Sequence, residues 1–405
     1  MRTFISFPEA RNLILEHVPL LPEEIVSWQE ALHRVLREPI QSTEPIPRFD
    51  NAAMDGFAIR LEDIRTLPAT LPVAPPVAAG TPPPSPMPAG TALPIMTGAP
   101  VPPDADAVVP VEWTEMVDEH TVRILRRPTP GAHIRRRGED IQEPQVLIKS
   151  GTRITPPVIG LMATFGYASV RVSRRPRLAI LTTGSELVPL DQTPGEAQLR
   201  DSNGPTLYAQ ALEAGAEVHA LLHAEDDETA IQKQLDRALP TDILVLSGGV
   251  SMGKYDLVRH ELARRGVTWL FWKVRQRPGK PLTFGLLKGI PVFGLPGNPV
   301  SASVCFEMYV RPAIAHMMGF EPAVSPSVTA RLQTSFEKKS ELHYFTRGKA
   351  SVDASGQLYV TPLRRQGSHM FYGMAEANCI IHFPEGRAFF EEDEYVSIEW
   401  FKWAH

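Results

Sequence analysis

From Arg177 to about residue 318 the chain alternates short apolar runs with amphipathic ones, and this rhythm restricts the fold more than any other feature. RLAILTT, EVHALL, TDILVLS and GIPVFGL read as strands. GPTLYAQALEAG, ETAIQKQLDRAL, DLVRHELARRG and NPVSASVCFEMYVRPAI read as helices. Such connections are right-handed, so the spacing predicts a doubly wound, mainly parallel α/β sheet over 176–318. Helix punctuation agrees: Ser202 or Asn203 is placed to cap before Pro205, and Gly215 follows the last apolar position.

Proline shapes the rest. The chain has 40 prolines in 405 residues, about twice average usage. They crowd between Pro68 and Pro103, where the lost backbone donors exclude helix and central strand. ALPIMTGA and ADAVVPVEW alternate with them as short edge strands of a small β-module would, occupying 49–135. On either side, helical spacing over 8–38, broken at Pro19 and Pro22 into two helices, and again over 156–166, suggests a helical N-terminal domain (1–48 and 136–175) interrupted by that module. After residue 320 short strands dominate (SVTARLQ, YFTRGKASV, QLYVTPL, CIIHFPEG, YVSIEWF), predicting a C-terminal β-barrel-like domain over 325–405. The expected whole is a multidomain α/β and β protein.

Composition excludes several classes of function. Lys plus Arg number 41 against 46 Asp plus Glu, a net charge of -5, so the overall field does not favour nucleic acid or an anionic membrane. Cys305 and Cys379 are too few for a disulfide framework and lack zinc spacing. Glu9 and Arg11 interrupt any secretory core, and no apolar run is long enough to span a bilayer, so a cytoplasmic protein is expected. Of twelve histidines, His219 and His223 form the closest interior pair, but four residues along a strand is roughly 13 Å, too far for one metal.

In a doubly wound sheet the ligand sits beyond the carboxyl ends of the strands. The loops there carry Gly184-Ser185-Glu186, Asp226-Asp227, Gly248-Gly249 through Ser251 to Asp256, and Gly297-Asn298. Glycine turns before helices let backbone N–H groups face an anion, and two on one rim point to phosphates, although neither matches a standard nucleotide loop. Glu186, Asp226 and Asp256 beside phosphate require a hard cation such as magnesium between them. FWKVRQRPGKP opposes these acids with Lys273, Arg275, Arg277 and Lys280. Asp226 and Asp227 serve equally well as caps of the following helix. Upstream, PRFDNAAMDGFAIR and HIRRRGEDI cluster charge around Asp55 and around Arg135 to Asp140, patterns also usual in hairpin turns and solvated faces.

Together these segments, with IMTGAPVPPDADAVV, ILTTGSELV, DSNG, SGGVSMGKYD, GLPGNPVSA and QGSHMF, resemble the molybdopterin molybdenumtransferases and the homologous E domain of gephyrin over nearly the whole chain. The resemblance implies an enzyme that inserts molybdenum from molybdate into adenylylated molybdopterin, with magnesium-dependent cleavage of the adenylate. It implies a homodimer whose site combines Asp55, Thr97, Arg135 and Asp140 with Glu186, Asp226 and Asp256, the last three also as metal ligands. By the same resemblance Asn203, Gly248, Gly249, Ser251, Lys273, Arg277, Lys280, Gly297, Asn298 and Ser368 hold the ligand. Arg277 stands where some relatives have lysine, and Ser185 where many have an acid. A molybdopterin adenylyltransferase and molybdoenzyme maturation proteins are the implied transient partners. The rival readings are a molybdopterin adenylyltransferase, which would lack the N-terminal clusters and the C-terminal β-domain, and a gephyrin-like binding scaffold.

Overall fold

The computed structural model describes residues 1–76, 80, 82–249, 257–324, 326–339 and 341–403. They divide into two compact units, one of residues 1–38, 150–156 and 169–405, the other of 39–149 and 157–168.

The larger unit holds a seven-stranded sheet in the spatial order Arg2–Ile5, Val267–Val274, Thr283–Leu287, Ile290–Leu295, Ile243–Ser247, Arg177–Thr183, Glu217–Ala224. Thr283–Leu287 runs antiparallel to both neighbours and every other pairing is parallel. Six carboxyl ends therefore share one edge. Alternate side chains leave each strand on opposite faces. Leu178, Ile180, Ile243 and Val245 join a core with Leu207, Ala211, Ala10, Ile14 and Ile314, whereas Ala179, Leu181, Leu244 and Leu246 meet Ile231, Leu235, Val258 and Leu262. The helices Phe7–His17, Asn203–Glu213 and Arg311–Met317 cover the first face, and Glu228–Ala238 and Leu257–Arg264 the second. This is the doubly wound α/β arrangement the alternation predicts. Truncating a side chain as buried as Ile14 costs about 2–5 kcal/mol.

Two local expectations change. The apolar spacing over 25–36 forms no helix; instead Glu23–Ser27 pairs antiparallel with Ser169–Ser173 and turns follow. Trp28 and Leu32, which that spacing would put on the apolar side of a helix, are exposed, so β-branched Ile25 and Val26 follow strand pairing over helical periodicity. The helix start at Asn203 is capped by neither residue named for it. The Asp201 carboxylate accepts the N–H groups of Asn203 and Gly204, both at 3.0 Å, whereas the Ser202 side chain makes no cap bond. Gly215 does follow the end, at φ +93. Beyond Cys305 the helix opens into a π turn over Phe306–Val310 just before Pro312, which has no N–H to donate.

The C-terminal strands close on themselves. His343–Val352 pairs with Leu358–Pro362, then come Val328–Leu332, Tyr395–Trp400 and Cys379–Phe383, which pairs back to His343–Val352. Leu332, Val360, Ile381, Phe383 and Ile398 fill this five-stranded barrel.

In the smaller unit Gly56–Ile59 lies between Leu93–Ile95 and Ala107–Pro110, and Thr121–Ile124 lies between Ala69–Pro72 and Thr114–Asp118. Pro72, Pro94 and Pro110 all fall on edge strands, where a missing donor costs no ladder bond. A Cβ at Gly56 would lie 2.0 Å from the Val109 carbonyl oxygen, so the residue after Asp55 must be glycine.

Candidate functional site

In the smaller unit the sequence clusters become one hydrogen-bonded hub. Ile134–Arg135 pairs with Asn51–Ala52, setting Arg135 opposite Asn51. Ala52 exchanges backbone bonds with the 96–101 turn, donating to Ala99 and accepting from Gly98. The turn thus carries Thr97 to Asp55, whose Oδ1 accepts both the Thr97 amide and its hydroxyl at 2.7 Å. Those two bonds, the amide first, hold the Asp55 carboxyl below its ordinary pKa, so it stays an anion. Asp50 accepts from Arg136 Nη1 at 2.6 Å and from the Arg137 amide at 2.8 Å, and is likewise lowered, chiefly by the Arg137 amide. The Gly138, Asp140 and Ile141 amides donate to Pro47 and Ile46 carbonyls, which fixes the turn bearing Asp140. Asp55, Thr97, Arg135 and Asp140 therefore sit on neighbouring turns of one scaffold.

In the larger unit the other residues gather at the carboxyl edge of the sheet. Glu186 follows Thr183, its carboxylate curled back within 2.6 Å of where a Gly184 Cβ would be. Asp226 follows Ala224; its Oδ2 accepts from the Ser185 amide at 3.3 Å, and its own amide donates to Ser185 Oγ at 3.1 Å. Ser185 thus joins two rim loops. Asp227, not Asp226, caps the next helix through the Ala230 amide. This separates the two neighbouring acids: among the described residues Asp226 accepts through Oδ2 from the rim loop, whereas Asp227 accepts from its own helix.

The glycine turns have steric grounds for being glycine. Gly248 and Gly249 take positive φ, and a Cβ on either would meet Thr183 atoms at 2.7 Å. Gly297 lies across from them, its Cβ position 3.8 Å from the Gly248 Cα. Asn203 Nδ2 ties the turns together, donating to Ser247 Oγ at 2.9 Å and to the Gly297 carbonyl at 2.7 Å. Asn298 precedes the Pro299–Cys305 helix with no side-chain cap bond of its own. The Ser368 carbonyl accepts the Val300 amide at 3.2 Å, bringing the C-terminal segment to that same helix start.

Lys273 and Lys280 also reach this edge, since one ends Val267–Val274 and the other precedes Thr283–Leu287. Arg277 Nη1 lies 3.4 Å from the Tyr344 hydroxyl of the barrel. Ser251 and Asp256 lie outside the described residues. Among the described residues no group of three His, Cys, Asp or Glu side chains is close enough to hold a metal, and no helix is long and apolar enough to cross a membrane.

Sequence reasoning missed Asp201 and Thr183. Asp201 accepts from Thr182 Oγ1 at 2.7 Å besides the two helix amides, so it anchors Asn203. Its signal was an acid two residues before a helix start. Thr183 Oγ1 is buried beside Gly248 and Gly249 with no partner among the described residues, and nothing in the local sequence marks it.

Comparison with known proteins matches the chain in three consecutive parts. Residues 5–166 match the MoeA N-terminal region (domain I and II), 179–316 a probable molybdopterin binding domain, and 329–401 the MoeA C-terminal region (domain IV). The chain is 35% identical over 398 residues to the molybdopterin molybdenumtransferase of Haemophilus influenzae, covering 98% of each. With that of Bacillus subtilis it shares 34% over 405 residues, covering 98% of this chain and 94% of the relative. The crystal structure of a molybdopterin biosynthesis moeA protein from Pyrococcus horikoshii superposes with a TM-score of 0.82 at 27% identity, covering 98% of this chain and 100% of that one. Since these similarities take in the N-terminal clusters and the barrel as well as the α/β sheet, this enzyme belongs to the molybdopterin molybdenumtransferase family.

Proposed function

We propose that the enzyme inserts molybdenum from molybdate into adenylylated molybdopterin and cleaves the adenylate, in sites shared between the two chains of a homodimer. The observation that carries this reading is the pair of turns at Gly248-Gly249 and Gly297-Asn298, pinned by one Asn203 amide on an edge that also bears carboxylates and lysines. Such a cradle suits a pyrophosphate. In the reaction the bridging P–O bond is hydrolysed, AMP leaves, and molybdopterin keeps its own phosphate. The two dithiolene thiols replace one oxo group of molybdate, and their protons leave with it as water. The sulfurs belong to the ligand, consistent with a chain whose two cysteines are both buried and whose thiols burial pushes to high pKa.

The oxygen donors proposed for a hard cation are Asp226, whose Oδ2 accepts from the Ser185 amide, Glu186 on the Ser185 loop, and Asp256, which lies outside the described residues. Magnesium, when bound, would neutralise charge on the pyrophosphate. The protein's own part is to orient the phosphates against Lys273 and Lys280, with Ser251, Arg277 and Ser368 as further ligand contacts. Asp55, Thr97, Arg135 and Asp140 from the partner chain would then complete the site. We place the reaction in the cytoplasm, with a molybdopterin adenylyltransferase upstream and molybdoenzyme maturation proteins downstream as transient partners.

Asp256→Asn and Lys280→Met test the assignment. Asp256→Asn is expected to weaken the apparent magnesium affinity and slow AMP release, while leaving binding of metal-free ligand unchanged. Lys280→Met is expected to lower that binding itself, by about 1–3 kcal/mol. Equal loss of metal-free binding in both variants would assign Asp256 to the scaffold and move the metal to Glu186 and Asp226.

A further inference from the structure

Lys273 and Lys280 at the carboxyl edge each lie against an aromatic ring. Lys273 Nζ stands 3.6 Å from the centroid of Trp272, its neighbour in the chain. Lys280 Nζ stands 5.1 Å from the centroid of Phe4, a residue of the edge strand Arg2–Ile5. The second pairing is long-range, and three independent features hold Phe4 where it is.

The first is register. Thr3 pairs with Trp272 and Ile5 with Val274, which sets Phe4 opposite Lys273. The second is a tether: Arg275 Nη1 donates to the Phe4 carbonyl at 2.9 Å, its amide donates to the Ile5 carbonyl at 2.8 Å, and its Nε is paired with Glu385 at 2.7 Å. The third is backbone conformation, since Phe4 (φ 55) and Lys273 (φ 64) are both left-handed without being glycine. That conformation is costly for L residues and persists where the surroundings impose it. Phe4 is also 38% exposed, so core packing does not account for a phenyl ring there.

The Lys280 backbone is fixed independently. Its carbonyl accepts the Val274 amide at 3.0 Å, and Gly279, at φ +87, has no room for a Cβ, which would lie 2.4 Å from Cys305 Sγ. What remains free is the four-carbon side chain, and a ring face within about 6 Å attracts the ammonium and narrows its rotamers. We propose that Phe4 is a positioning residue, holding the Lys280 ammonium by a cation–π contact in the place where it meets the ligand's phosphates. The inference rests on the proposed role of Lys280 and adds to it a residue from the far end of the chain.

The experiment is a double-mutant cycle read by titration of the full-length protein with metal-free adenylylated molybdopterin, and by initial rates of AMP release. Phe4→Leu keeps apolar bulk and loses the ring; it is expected to raise Kd and KM about threefold with kcat unchanged. Phe4→Tyr keeps the ring face and is expected to restore wild-type values. In the Lys280→Met background Phe4→Leu is expected to add nothing, because the partner of the ring is gone. Additive losses in the double variant, or wild-type binding by Phe4→Leu, would overturn the role of Phe4 while leaving that of Lys280 intact. Wild-type binding by Lys280→Met would overturn both.

Discussion

Ser185 and Asp226 hold each other by reciprocal hydrogen bonds between side chain and backbone, at 3.3 and 3.1 Å, so the loops behind two neighbouring strands are latched together. The latch uses Asp226 Oδ2, and the proposed metal role would fall to Oδ1. Ser185→Ala removes one of the two bonds and is expected to lower the rate of AMP release by no more than about threefold. Asp226→Ala removes the charge as well and is expected to slow it by about 10²-fold. Both residues are exposed, so thermal midpoints within about 2 °C of wild type are expected for each. Equal rate losses in the two variants would reduce Asp226 to a latch.

The Asp55–Thr97 pair makes a second test. Thr97→Val deletes the hydroxyl donor but keeps the amide, which is the larger influence on the Asp55 carboxyl. The carboxyl pKa is expected to rise part of the way back to its ordinary value, read by carbon-detected NMR titration. A depressed carboxyl pKa stabilises the fold above the unfolded value and ceases to do so as pH falls through the folded one, so the variant should lose part of this stabilisation at neutral pH. A titration unchanged from wild type would mean that the hydroxyl bond does not persist in solution.

Acid stability is expected to depend on a buried pair in the barrel. His343 Nε2 and His382 Nδ1 lie 3.3 Å apart, and Glu399 pairs with both His382 and Arg11. Burial first, then the charges of His382, Lys338 and Arg11, push His343 down to about 3. For Glu399 burial acts upward, but His382 and Arg11 outweigh it and the carboxyl is lowered. The unfolded chain therefore takes up a proton at His343 near the ordinary histidine value, whereas the folded chain refuses it until far lower pH. Stability should fall from about pH 6.5 downward, with a slope approaching 1.4 kcal/mol per pH unit from this group. His343→Gln is expected to flatten that slope in urea melts at pH 7, 6 and 5. A slope identical to wild type would show that His343 is protonated in the fold.

Mixed dimers test the shared site. A chain carrying Asp55→Ala combined with one carrying Asp256→Ala is expected to recover up to half of wild-type activity, through the one composite site that stays intact. Purification through two different tags isolates the mixed species. Activity no higher than that of either parent would sink the shared-site proposal.

The α/β sheet was legible because its strands and helices differ in period, and because burial on both faces makes the strands continuous apolar runs, as in Ile243–Ser247. The rim was legible as a set of loops, since topology alone places whatever follows a parallel strand at one edge. Its internal wiring was not. That Asp226 latches while Asp227 caps depends on a turn of one residue, and both are acids before the same helix. Residues 25–36 misled because helical and strand readings fit the same apolar letters, and only pairing with Ser169–Ser173, far along the chain, decides between them. Phe4 was invisible for the same reason: its meaning comes from a partner far along the sequence.

That distance has a consequence for how the molecule is made. The register of Arg2 with Phe271 closes a loop of roughly 270 residues, so this strand leaves the ribosome long before its partner exists. The 39–149 segment, whose sheets are paired internally, is synthesised whole in the meantime and has no such wait. Arg2–Ile5 cannot join the sheet until Val267–Val274 has been made, and Phe4 arrives beside Lys280 only after that. A nascent chain halted before residue 267 would leave that first strand without its partner, a ready edge for mispairing with another chain.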